Sequence, residues 1–174
     1  GRDMDRCRAD HMGMLATVIN SLALQDTFIK HGIDAKVLTS VEMNAFAETY
    51  TQRAAVDYLS SGKVVIFGGG LGVPYFSTDT PAVVRAAEIN ADAVLMAKNV
   101  DGVYSADPKK DPDAVRYDDI KYSDIIEKGL HAFDMTAVSF CNENNIESYA
   151  FALSDPENIY NVVMGNATGT RMHR

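Results

Sequence analysis

Residues 68–80 read GGGLGVPYFSTDT, and the patterns on either side limit what this stretch can be. Upstream, Lys63, Val64, Val65, Ile66 and Phe67 form a short apolar run rich in β-branched residues, which predicts a buried strand ending at the glycines. Downstream, Pro81 and the apolar positions Val83, Val84, Ala87 and Ile89 predict a helix over residues 80–90, with Ser77, Thr78 and Asp79 at its N-terminus. A strand, a bare backbone loop and a capped helix together make an anion site. Glycine lets a ligand approach the main chain, and the free N–H groups of a first helical turn favour a phosphate or carboxylate. The stretch matches neither common nucleotide fingerprint: G-x-G-x-x-G fails at Val73, and G-x-x-x-x-G-K fails because Asp57 stands five residues before Gly62. From spacing alone, a strand-to-helix turn that merely needs positive backbone angles reads equally well.

The chain has 174 residues, enough for one domain with a sizeable core, and we read residues 1–174 as a single unit without internal repeats or linkers. With 47% hydrophobic and 23% charged residues the composition is that of a globular protein. A net charge of −8 and the lack of any basic stripe argue against broad nucleic-acid binding, so a phosphate ligand would have to be held locally by backbone N–H groups, one or two lysines and a divalent cation. Cys7 and Cys141 are too few for a disulfide framework; with eight Met and no signal peptide they suit a reducing, cytosolic interior. No uninterrupted apolar run approaches the roughly 20 residues a bilayer requires, so no membrane insertion is expected.

From the N-terminus, HMGMLATVINSLALQDTFIK (residues 11–30) predicts a long, mostly buried helix with Asp10 as its N-cap and Gly32 as its stop. Apolar residues on more than one face, Met12, Met14, Leu15, Ile19, Leu22, Leu24 and Phe28, mark it as an oligomer interface as well. His11 reads either as a ligand contact or as a structural histidine. A strand over residues 34–40 and a helix over residues 51–60 precede the central strand, and residues 92–98 (DAVLMAK) form a second continuous apolar strand of the parallel-sheet kind. Alternating strands and helices make an α/β layered fold, in which ligands gather beyond the strand C-termini, where Gly68 and Lys98 fall. Residues 99–113 (NVDGVYSADPKKDPD) read as a structured loop with Asp101 and Gly102 as a hairpin turn. Its aspartates lack the EF-hand spacing and serve either as turn formers or as groups around a nucleotide's metal ion. Helices follow at residues 122–128, 134–144 and 156–164, with a strand at 148–153 and a last edge strand at 169–172.

Four ordered blocks, ADHMGMLATVINSLALQD, GKVVIFGGGLGVPYFSTDT, ADAVLMAKNVDGVYSADP and VVMGNATGT, resemble the bacterial UMP kinases of the amino acid kinase superfamily over nearly the whole chain. The resemblance implies a three-layer αβα sandwich with a mainly parallel sheet. It also implies phosphoryl transfer from ATP, with Mg²⁺, to UMP, by a cytoplasmic homo-oligomer, a hexamer in this family, activated by GTP and inhibited by UTP. Asp10 resembles the aspartate that holds the UMP ribose hydroxyls. Leu71, Gly72, Val73, Pro74, Tyr75, Phe76, Ser77 and Thr78 resemble the UMP loop, with Ser77 and Thr78 toward the acceptor phosphate. Lys98, Asn99, Tyr104 and Asp107 resemble the ATP side, with Tyr104 against adenine and Asp107 toward its ribose. Asp79 resembles the aspartate that orients active-site lysines or metal, and Asp134 a second acidic position near the phosphates. Neither is read as a general base, because a UMP phosphate is already nucleophilic at neutral pH. No residue is assigned as a direct metal ligand. Without the resemblance, Asp79 reads as a first-turn helix residue and Asp134 as an N-cap.

Two departures accompany the match. Leu71 and Val73 stand where some UMP kinases carry Thr and Asn, so main-chain contacts must read the base. The family's first strand, with its lysine, a G-G-G-N segment and an arginine, precedes the point that matches Gly1, and the native gene product is expected to extend upstream. The rival readings are a superfamily kinase for a carboxylate or carbamate, which should keep a lysine near the position of Asp134, and a nucleotide-responsive module that binds UMP or UTP without turnover.

Overall fold

The structure, a computed structural model, describes residues 4–130, 133–166 and 168–174. It is an α/β protein whose chain gathers into two compact units, residues 1–81 and 82–174, where the sequence reading had placed one undivided unit. Of the six strand pairings among the described residues, four are parallel, in keeping with the expected mainly parallel sheet.

In the first unit, helix α1 (Arg6–Lys30) leads to strands β1 (Ala35–Thr39) and β2 (Glu48–Thr49), helix α2 (Gln52–Ser60) and strand β3 (Val64–Gly68). The sheet order is β2-β1-β3, parallel throughout, with Ala35 paired to Val64 and Thr39 to Gly68. Helix α2 is capped by Thr51, whose hydroxyl accepts the N–H of Ala54, and ends before Gly62 in a left-handed turn.

Helix α1 corrects the sequence reading in three respects. It begins five residues early: Asp5, not Asp10, is the N-cap, its carboxylate accepting the N–H of Arg8 at 3.0 Å, so Asp10 lies inside the helix with its side chain left for other work. It is not mostly buried, since only Val18 and Ser21 are fully covered while Met12, Leu15, Ile19 and Leu24 are exposed. One sheet face covers only one stripe of a helix. It is also long and apolar enough to cross a membrane by length and composition, with a mean hydropathy of 1.2 over its best 18 residues. Its contacts dock it on the sheet instead: Gln25 donates to the carbonyl of Ala35, and Thr17 accepts the N–H of Gly69. A side chain at Gly68 would press on Ser21 and Val18, so glycine at the end of β3 is what lets α1 lie so close.

Helix α3 (Asp79–Glu88) starts in the first unit and carries Val83 and Ala86 into the core of the second. The second unit contains β4 (Val94–Lys98), β5 (Val103–Tyr104), β6 (Arg116–Tyr117), β7 (Asp119–Lys121), α4 (Tyr122–Lys128), α5 (Met135–Asn144), β8 (Ser148–Ala152), α6 (Glu157–Val163) and β9 (Thr170–His173). Its sheet runs β4-β8-β9-β7, and β5 and β6 pair as a separate hairpin. The strand near the C-terminus is therefore interior rather than the expected edge, because the three-residue β7, too short to show a period of two, pairs along its far side. The expected Asp101–Gly102 hairpin turn is corrected as well: both residues precede β5, and the hairpin's own loop runs over residues 105–115. The core holds Val83, Val103, Ile125, Val138 and Met172, and each such fully buried aliphatic side chain contributes about 1.5–3 kcal/mol. Within it the Tyr122 hydroxyl bonds the carbonyl of Ile146 and the hydroxyl of Ser148, which satisfies the one polar group that ring brings inside.

Candidate active site

The glycine loop after β3 is held in an unusual backbone by contacts the sequence does not announce. Gly69, Gly70 and Gly72 have positive φ, at 82°, 60° and 79°. A Cβ at Gly72 would lie 2.9 Å from the carbonyl oxygen of Ser40, so both the angle and the space require glycine there. Thr17 of α1 accepts the N–H of Gly69 at 2.8 Å, and Ser40, just past β1, donates to the carbonyl of Gly70 at 2.5 Å. The loop is thus fixed from the helix on one side and from the neighbouring strand on the other. At its far end the Ser77 hydroxyl accepts the N–H of Asp79, the first residue of α3.

These parts enclose a cavity of about 200 Å³, lined by Asp10, Gly13 and Thr17 of α1 and by Leu71, Val73, Phe76, Ser77 and Thr78 of the loop. Asp10 is its anionic group. Its carboxylate accepts the backbone N–H of Tyr75 at 2.8 Å and the guanidinium of Arg6 at 2.9 Å. The Tyr75 N–H, and after it Arg6, hold the carboxyl below its ordinary range. Tyr75 has a φ of 74°, rare for a residue with a side chain, and its ring lies under the Arg6 guanidinium at 5.6 Å. The cavity joins an ionised acceptor of O–H groups to a helix start bearing hydroxyls, a pairing suited to a polyol that carries an anion.

In the second unit the β5–β6 hairpin and the end of α4 enclose a larger cavity, about 560 Å³. Tyr104, Asp107, Lys109, Lys110 and Lys128 line it, as does the backbone at Gly102 and Gly129. The Tyr104 hydroxyl donates to Asp101 at 2.9 Å, which raises its pKa, and Arg116 holds the other oxygen of Asp101 at 3.2 Å. Asp107 accepts the N–H of Lys109 and pairs with Lys110, and both lower its pKa, the backbone bond most. Three lysines, an aromatic ring and bare backbone around one opening suit a polyphosphate bearing a flat base.

The positions expected from sequence thus fall into two groups. Asp10, Leu71, Val73, Phe76, Ser77 and Thr78 share the first cavity. Gly72, Pro74 and Tyr75 belong to the same loop without lining it, although Tyr75 supports Asp10 through its N–H. Tyr104 and Asp107 share the second cavity, whereas Lys98 and Asn99 are not among its lining residues; the Lys98 ammonium lies 4.9 Å from the Phe133 ring. Asp79 stands at the first turn of α3, and Asp134 caps α5, its carboxylate accepting the N–H of Thr136. His11 faces Cys7 one helical turn away. Thr17, Ser40, Lys109, Lys110 and Lys128 were not singled out from sequence. The first two act across long stretches of chain, and a lysine in a charged loop carries no sign of which way it faces.

A sequence model of the Amino acid kinase family matches residues 2–151, a span that runs through both units. The chain is similar to a UMP kinase from Bacillus anthracis, with a TM-score of 0.93 and 37% identity over 98% of this chain and 70% of that one. It is similar to a UMP kinase from Ureaplasma parvum, with a TM-score of 0.93 and 36% identity over 99% of this chain and 74% of that one. A uridylate kinase from Archaeoglobus fulgidus matches with a TM-score of 0.72 and 31% identity over 98% and 74%.

Proposed function

This chain belongs to the amino acid kinase family, and on that premise we propose that it is a UMP kinase, transferring the γ-phosphoryl group of ATP to UMP to give UDP and ADP. The observation that carries the reading is the first cavity, where one ionised aspartate and a hydroxyl-bearing helix start line the same 200 Å³. Asp10 would accept the ribose hydroxyls, and Ser77 and Thr78 with the first turn of α3 would hold the phosphate. Val73 offers no hydrogen bond to uracil, so the backbone of residues 71–75 would read the base.

ATP is assigned to the hairpin cavity, with Tyr104 against adenine, Asp107 toward the ribose, and Lys109, Lys110 and Lys128 available to the phosphates. Lys98 and Asn99 remain proposed ATP-side residues from the family likeness. The chemistry asks little covalent work of the protein. Two anions must be aligned and their repulsion screened, and no proton need be removed from the nucleophile.

Mg²⁺ is the divalent ion implied. Such an ion keeps several of its waters and binds largely to substrate phosphates. Asp79 and Asp134 remain proposed acidic positions from the family likeness, and the ion would supply charge neutralisation on the transferring phosphoryl group. A cytoplasmic homo-oligomer responsive to GTP and UTP is carried over from the family likeness in the same way. Isothermal titration with UMP and with a carboxylate such as glutamate tests the acceptor. UMP should bind and glutamate should not; the reverse would favour an amino acid acceptor.

A further inference from the structure

We propose that Thr170 is a positioning residue for the nucleotide cavity, setting the hairpin that forms its wall. The inference rests on the reading of that cavity as the ATP site. Thr170 opens β9 and is fully buried. Its hydroxyl accepts the N–H of Val103 at 2.9 Å and donates to the carbonyl of Tyr117 at 2.5 Å. Val103 and Tyr117 face each other in the hairpin register, so one oxygen atom bridges both strands of a hairpin that belongs to a different sheet from β9. A hydroxyl is suited to this because it accepts and donates at once.

The bridge reaches the cavity directly. The peptide group whose N–H is taken joins Gly102 to Val103, and the residues on either side of Val103, Gly102 and Tyr104, both line the opening. Two glycines make the approach possible. Gly169, with a φ of 82°, lets the chain lie against the carbonyl of Ala150, where any side chain would overlap, and so places Thr170. A Cβ at Gly102 would collide with the Thr170 hydroxyl and come within 2.9 Å of the Arg116 side chain. Losing the hydroxyl would take a partner from a buried N–H and from a half-buried carbonyl, and the hairpin would relieve this by shifting. The side chain of Tyr104 would move with it.

The experiment is isothermal titration with ATP in the presence of Mg²⁺, and separately with UMP, on wild type, Thr170→Val, Thr170→Ser and Gly102→Ala, each checked for folding by circular dichroism. Thr170→Val should weaken ATP about tenfold or more, a loss on the scale of one charged or buried hydrogen bond, with UMP affinity within about twofold of wild type. Thr170→Ser, which keeps the hydroxyl, should restore ATP binding. Gly102→Ala should weaken ATP in the same direction, because its Cβ presses on the same oxygen while every hydrogen-bonding group stays in place. Folded Thr170→Val or Gly102→Ala protein that binds ATP as wild type does would overturn the proposal. So would equal losses for ATP and UMP, the mark of general destabilisation. Folded wild type that binds UMP but no ATP would overturn the assignment of the cavity itself, and the proposal with it.

Discussion

The Asp10 carboxylate accepts the backbone N–H of Tyr75 at 2.8 Å, across 65 positions of sequence. The bond ties the first long helix to the tip of the glycine loop and holds the carboxylate ionised, which is the state that can accept two ribose hydroxyls. Asp10→Asn should therefore weaken UMP about tenfold or more, the scale of a hydrogen bond to a charged group, while leaving ATP nearly unchanged. Titration of both ligands checks it, and an equal loss for the two would make Asp10 a support for the loop only.

Asp79 offers a different separation. It begins α3 and has its N–H held by Ser77. If its carboxylate acts on the transferring phosphoryl group, Asp79→Asn should lower kcat by more than it raises the KM for UMP. If it only favours the helix start, the cost should be about 0.3–1 kcal/mol of stability with turnover intact. Steady-state kinetics and a thermal melt on the same preparation decide between the two.

Helix α1 leaves Met12, Leu15, Ile19 and Leu24 in solvent, Ile19 at 68% exposure. This is more apolar surface than a monomer's helix normally shows, and a second copy of the chain is the expected cover. Light scattering at micromolar concentration should give an oligomer, and Ile19→Glu should shift it toward smaller species without unfolding the chain. A wild-type monomer would contradict this.

The Glu147–Arg171 pair gives a pH dependence. Arg171 and then the Tyr149 hydroxyl lower the Glu147 pKa from 4.5 to about 2. A carboxyl held low in the folded state stabilises the fold above its unfolded pKa, and this contribution fades as pH falls from about 4.5 toward 2. The pair is partly open to solvent, which screens it, so its worth is about 1 kcal/mol. Wild type should lose stability across that window in urea melts, and Glu147→Gln should lose less.

Much of this architecture was legible in the sequence, for reasons that name themselves. The apolar run of residues 63–67 and the glycines after it placed β3 and its loop, and Thr51, Gly62 and Asp134 marked helix ends by local chemistry alone. What was missed depends on partners far along the chain. Asp10 has the composition of an N-cap, but Asp5 is nearer the true helix start, and only the distant Tyr75 reveals what Asp10 does. Strands of two or three residues such as β2, β5, β6 and β7 carry no period to detect, so the interior place of β9 could not be read. The burial of α1 was overestimated because a helix apolar on several faces looks the same in sequence whether sheet or partner covers it. On the site, the glycine loop was legible as an anion site from its residue types, whereas Asp10 was named only through the family resemblance. Thr17 and Ser40, which fix that loop, look like any hydroxyl residues until the fold brings them to Gly69 and Gly70.

Transfer to UMP, as proposed, can be followed phosphorus by phosphorus. The most direct measurement follows ³¹P resonances of the native enzyme with ATP, Mg²⁺ and an equal mixture of UMP and glutamate. The two phosphates of UDP should appear together with those of ADP, one for one, with glutamate untouched. An acyl phosphate without UDP, or ADP released with no phosphorylated acceptor, would contradict it.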